Sequence, residues 1–189
     1  YVKLGFVHIL PRGFDHILFV LGLFLAMRSR HDLLWQISAF TVAHTITLAL
    51  ASSGVISPSA DFVEPLIALS IAYVAIENMV FPTMTRWRPL IVFGFGLFHG
   101  LGFAGVFQEL GLVKDQFLTT LISFNIGVEL GQLAIILAAF ILARMIQRIA
   151  LPAGHTANIY RRYIVIPGSL LIGAIGLYWF VTRLIDVLA

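Results

Sequence analysis

QFLTTLISFNIGVELGQLAIILAAFILA, residues 116–143, contains no Lys or Arg and a single carboxylate, Glu129. An α-helix rises about 1.5 Å per residue, so roughly 20 residues cross the ~30 Å hydrocarbon core of a bilayer. This run is long and apolar enough to do so. Working outward from it, five further segments read the same way, at roughly 4–27, 33–53, 62–82, 89–108 and 161–186. The whole chain agrees with them. Its 189 residues are 60% hydrophobic and 11% charged, more apolar surface than a soluble domain of this size could bury. The predicted fold is all-α: one polytopic transmembrane bundle of about six spanning helices, with the lipid bilayer as its first partner. The net charge of +3 comes from basic residues that fall between apolar runs. There they set topology, and nucleic acid is not an expected partner. With no Cys, disulfides and thiolate metal sites are excluded. The chain opens on Tyr1, so a piece of a longer protein is expected, with room for a periplasmic domain upstream of residue 1.

Lys and Arg orient the bundle. With six spans, one side carries Arg28, Arg30, Arg86, Arg88, Arg144, Arg148, Arg161 and Arg162, and the other carries Lys3, Arg12, Lys114 and Arg183. Eight against four places the first side in the cytoplasm and both termini outside. A bacterial cytoplasmic (inner) membrane is the expected location. The connection RMIQRIALPAGHTANIYRR, residues 144–162, reads as a basic cytoplasmic loop.

The first span is the least regular. Residues 16 to 27 alone would rise only about 18 Å, so the helix has to begin near Leu4 and take in Pro11. Proline removes a backbone donor and clashes with the preceding turn, which predicts a kink or break between His8 and Gly13.

Polar residues inside the spans are expensive in lipid and therefore informative. Asp15 and His16 sit near the outer end of the first span. The second carries Thr41, His44 and Thr45 on one face, and the third carries Ser70, Tyr73 and Glu77 at i, i+3 and i+7. His99 lies in the glycine-rich fourth, FGLFHGLG. Asn125, Glu129 and Gln132 form a stripe in the fifth. By depth, Asp15, His16, His44, His99, Asn125 and Glu129 converge in the outer half of the bilayer, with Glu77 nearer the cytoplasm. Three imidazoles with carboxylates and no sulfur make a nitrogen–oxygen donor set suited to nickel, cobalt or zinc. The competing reading is interhelical hydrogen bonding without an ion.

The segments HILPRGFDH, AFTVAHTITLAL, EPLIALSIAYVAIEN, FGFGLFHGLGFAG and FNIGVELGQLA, taken in order, resemble the HupE/UreJ family of bacterial membrane proteins. Members are named for hydrogenase and urease gene clusters and are regarded as nickel or cobalt permeases or accessory proteins. The family's first-helix motif is His-Pro-x-x-Gly-x-Asp-His. This chain matches it in Gly13, Asp15 and His16, whereas His8 stands one residue further from Asp15 and Pro11 does not follow it directly. The resemblance thus implies a divalent metal site with Asp15 and His16 at its centre.

Three functions use these residues differently. A transporter would capture a divalent ion with His16, His44, His99, Asp15 and Glu129, with His8, Thr41, Asn125, Gln132 and Glu77 as supporting or pathway groups. Neutral imidazoles are needed for that, so uptake should fall at acidic pH. A zinc-dependent intramembrane hydrolase would hold the ion on three histidines, with Asp15 or Glu129 as general base. A scaffold would use the polar stripes as interhelical contacts only. The family resemblance favours transport.

Overall fold

The computed structural model describes residues 1–27, 29–81, 83–103, 116–150 and 157–188. Among them every regular element is helical: α1 (Val2–Ile9), α2 (Phe14–Leu25), α3 (Arg30–Ser52), α4 (Ala60–Val80), α5 (Arg88–Gly102), α6 (Phe117–Ala150) and α7 (Ala157–Leu188). Arg161–Val165 within α7 is π-helical. The basic residues Arg28 and Lys114, residues 104–108 of the expected fourth span and residues 151–156 of the expected loop lie outside the described residues.

Four helices, α3, α4, α6 and α7, are long and apolar enough to cross a membrane. A fifth crossing is available if α1 and α2 together form one broken span. The predicted break is present: α1 and α2 meet at 72°. Leu10 turns extended at the end of α1 and Gly13 stands as the N-cap of α2. A Cβ on Gly13 would lie 2.4 Å from the carbonyl oxygen of His8, so only glycine lets the chain fold back this tightly. The fourth expected span differs. α5 has 15 residues, about 22 Å of rise, short of a full crossing by itself.

The ends of α3 and α4 are set locally. The side chains of Ser29 and Ser59 accept from the backbone N–H groups of Asp32 and Asp61, supplying partners that the first helical turn lacks. α6 corrects the expected loop: helix continues through Arg144 to Ala150, giving 34 residues. At about 51 Å it is longer than the hydrocarbon core is thick and carries its last turns beyond it.

Small residues bring the helices together in pairs, the packing mode that lipid favours because it offers helices no hydrophobic reason to associate. Cβ atoms on Gly96 and Gly100 would collide with the carbonyl oxygens of Phe40 and His44. Those pairings rise together in number, so α5 runs parallel to α3, and Thr47 donates to the Leu97 carbonyl at 2.7 Å across the seam. By the same contacts α1 runs parallel to α6, with Gly127 against Val2 and Gly131 against Ile9. α7 runs antiparallel to α4, with Gly176 against Ala72 and Gly173 against Ala75. Two apolar clusters result. One is built on Phe19, Ile37, Phe40, Ile71 and Val92, the other on Ile9, Leu48, Phe124 and Val128. The buried histidines sit between them.

Candidate metal site

His16 occupies the first turn of α2, His44 the C-terminal half of α3 and His99 the last turn of α5. Their exposures are 2%, 0% and 1%. His8 ends α1, and the bend at Gly13 swings it back, so that its ring centroid lies 4.8 Å from that of His16 and 6.0 Å from that of His44. His16 and His99 are 4.7 Å apart, edge to face. Phe19, Phe40, Phe103 and Phe124 wall the group, with Phe103 only 4.0 Å from His8 and Phe40 5.0 Å from His99.

One nitrogen of each of three rings is anchored. His16 Nδ1 lies 2.9 Å from Asp15 Oδ1, His44 Nδ1 lies 3.2 Å from Asn125 Oδ1, and His99 Nε2 lies 3.0 Å from Ser70 Oγ. The anchors also assign the ring protons. Asn125 donates through Nδ2 to the Leu121 carbonyl, so its Oδ1 is left to accept from His44 Nδ1–H. Ser70 donates its hydroxyl to the Ile67 carbonyl, so it accepts from His99 Nε2–H. The Asp15 carboxylate accepts from His16 Nδ1–H. In each ring the other nitrogen then carries a lone pair. Those atoms, His16 Nε2, His44 Nε2 and His99 Nδ1, together with His8 Nε2, are buried and make no hydrogen bond. An unpaired buried acceptor costs about 1–3 kcal/mol, so three such lone pairs beside His8 Nε2 make this cluster suited to a ligand.

Ligand atoms of His8, His16 and His44 lie within 4.8 Å of one another, and so do those of Asp15, His16 and His99. His16 belongs to both sets. Bonds of about 2.0–2.1 Å in a tetrahedral site put donors about 3.3 Å apart, a spacing close to that of either set. The donor chemistry fits a divalent transition metal, and carboxylate or amide partners on the far ring nitrogens are the usual way a metal-binding imidazole is oriented.

The chain's relationship to known proteins agrees with this. A family profile described as HupE / UreJ protein matches residues 1–183. The chain belongs to the HupE/UreJ family. Membership makes this a multi-pass membrane protein with metal-related accessory function, in keeping with its apolar helices. No curated protein and no solved structure gives a match.

Not every polar residue of this HupE/UreJ chain joins the cluster. Glu129 belongs to neither ligand set and accepts instead from Ser38 Oγ at 3.2 Å. Thr41 donates to Gln132 Oε1 at 3.0 Å, leaving Gln132 Nε2 buried without a partner. With His44–Asn125, these pairs make a polar ladder along the α3–α6 seam. In α4, Ser70 and Glu77 are buried, but Tyr73 is 40% exposed, so the expected three-residue face splits.

Arg88 is the largest departure from the sequence reading, which treats it as an interfacial charge. It is 1% exposed. Its guanidinium donates to Asn78 Oδ1 at 2.8 Å and Gln36 Oε1 at 3.1 Å, and lies 3.2 Å from Glu77 Oε2. Thr85 donates to the other Glu77 oxygen at 2.7 Å. Glu77 is therefore tied up in an ion pair. The sequence signal was present: a carboxylate near the end of one span and an arginine at the start of the next are brought level by a tight connection.

Proposed function

We propose that this protein handles a divalent transition metal ion, nickel or cobalt by family, as a membrane transporter, with zinc an alternative occupant. The observation carrying this reading is the pair of overlapping ligand sets, His8–His16–His44 and Asp15–His16–His99, built on buried rings that keep an unpaired nitrogen. His16, His44 and His99 would be ligands, Asp15 a ligand or the orienting partner of His16, and His8 a further ligand beside His16 and His44. Glu129, Thr41, Gln132 and Asn125 would line or brace the α3–α6 seam along which a released ion could travel. Hydrolysis uses the same histidines, and no observation favours it over transport.

The reading includes six crossings with both termini outside, in a bacterial inner membrane. The helix directions support it. In that topology α3 and α5 both point outward, α1–α2 and α6 both point inward, and α4 and α7 oppose each other. These are the parallel and antiparallel relations that the glycine contacts define.

Metal content and metal-dependent thermal shift of the purified protein test the site, with His44→Ala and His99→Ala alongside. Uptake of nickel or cobalt into proteoliposomes tests the transport. Absence of any divalent ion, with no stabilisation by one, would reduce the cluster to polar packing.

A further inference from the structure

Phe140, in the C-terminal half of α6, has two guanidiniums over its ring. Arg30 Cζ is 5.0 Å and Arg144 Cζ 5.2 Å from the centre of its ring. A cation over an aromatic face is favourable, but gathering two cations at one ring in a lipid interface is not, unless an anion joins them. Two adjoining cavities meet there, sharing Phe24, Met27 and Phe140. The larger, about 310 Å³, runs between α2, α3 and α6 and is apolar apart from Arg30, with Leu33, Leu133 and Leu137 in its walls. The smaller, about 200 Å³, adds Arg144, Gln147 and Tyr160, which offer charge, amide and hydroxyl donors. No acidic side chain among the described residues lines either one. Asp32, the carboxylate nearest in sequence to Arg30, sits 3.9 Å from His31 instead.

We infer that this groove is a binding site for an anionic phospholipid. The acyl chain lies in the apolar cleft between α3 and α6, and the phosphate bridges Arg30 and Arg144 across the edge of Phe140, with Gln147 and Tyr160 as further donors. Basic pockets between spanning helices at the headgroup level are the setting in which such lipids are recognised. A free phosphate would use the arginines but leave the cleft unfilled. A zwitterionic lipid would fill the cleft but bring an ammonium against two guanidiniums. The cleft also borders the seam that holds Thr41, Gln132 and Glu129, so its occupant would brace α3 against α6. This inference does not depend on the metal reading.

The test uses the full chain reconstituted in phosphatidylcholine alone or with phosphatidylglycerol of the same acyl chains. It reads thermal stability and, by native mass spectrometry, retained lipid. The expected result is preferential retention of phosphatidylglycerol and a higher Tm in its presence. Arg30→Gln combined with Arg144→Gln should abolish both differences, and Arg148→Gln, one turn along α6 from Arg144, should keep them. Equal retention of the two lipids by the wild type would overturn the site without recourse to any variant. So would survival of the preference in the double variant, its equal loss in Arg148→Gln, or a full stabilisation by glycerol 3-phosphate in detergent, which would indicate a headgroup-only anion site.

Discussion

Asn125 turns its Oδ1 to His44 Nδ1 at 3.2 Å because its own Nδ2 is held by the Leu121 carbonyl one helical turn back. The amide therefore cannot flip without losing a hydrogen bond, and it fixes both the tautomer and the tilt of a ring that is 0% exposed. Asn125→Leu keeps the approximate volume and removes the anchor. Metal affinity should fall by about 10- to 100-fold, the usual effect of losing such a partner. His44→Ala should lose at least as much. Competition titration against a chelator of known affinity measures both. Unchanged affinity in Asn125→Leu would show that the anchor does not matter for binding, and unchanged affinity in His44→Ala would show that His44 is not a ligand.

Gly13 is the second point of leverage. A Cβ there would meet the His8 carbonyl at 2.4 Å and the Ile9 Cα at 3.2 Å, both backbone atoms unable to move aside cheaply. Gly13→Ala should open the bend between α1 and α2, costing about 1–3 kcal/mol of stability. It should also move His8 away from His16. The combination to look for is weaker metal binding and a lower Tm with unchanged helical circular dichroism. Normal binding in Gly13→Ala together with lost binding in His8→Ala would mean that His8 reaches the site without the bend.

The buried pair at the other end makes a stability prediction. Glu77 and Arg88 are 4% and 1% exposed, and each stabilises the other's charge. Arg88→Met leaves Glu77 uncompensated and should destabilise the protein by about 3–5 kcal/mol. Adding Glu77→Gln removes the stranded charge and should recover much of that loss. Thermal unfolding in detergent of the single and double variants provides the cycle. Additive losses would show that the two charges do not interact.

The sequence revealed the helices and most of the buried polar groups, because lipid makes both conspicuous: a long apolar run needs no tertiary context, and an imidazole inside one has few explanations. It also exposed the break at Pro11–Gly13. What it concealed were facts of packing. His8 is out of register with the family motif, yet the 72° bend carries it to His16. Glu129 shares a helical face with Asn125, but its longer side chain reaches Ser38 rather than the histidines. Ser70 looked like one member of a polar face and is the anchor of His99, a role that depends on how closely α4 and α5 approach. Arg88 was placed by charge statistics at an interface, and only the three-dimensional pairing with Glu77, Asn78 and Gln36 draws it inside.

Whether α5 crosses the membrane decides the topology, and one comparison of two labels settles it. Ser57 lies between α3 and α4, and Asn158 opens α7 after α6; both are exposed. If α5 crosses, an odd number of helices, α4, α5 and α6, separates them, and they face opposite sides. If α5 enters and returns on one side, only α4 and α6 intervene, and they share a side. The chain has no Cys, so Ser57→Cys and Asn158→Cys each give a unique thiol. The expected result is that an impermeant maleimide applied to intact cells labels Ser57→Cys, while Asn158→Cys reacts only after permeabilisation. The length of α5 alone, 15 residues, argues against a full crossing. The antiparallel course of α7 beside α4, with Gly176 at Ala72 and Gly173 at Ala75, argues for one: with α4 and α7 opposed, the chain between them must cross twice, through α5 and α6. Labelling of Asn158→Cys from outside in intact cells would make α5 re-entrant and place His99 at the tip of a hairpin rather than within a span.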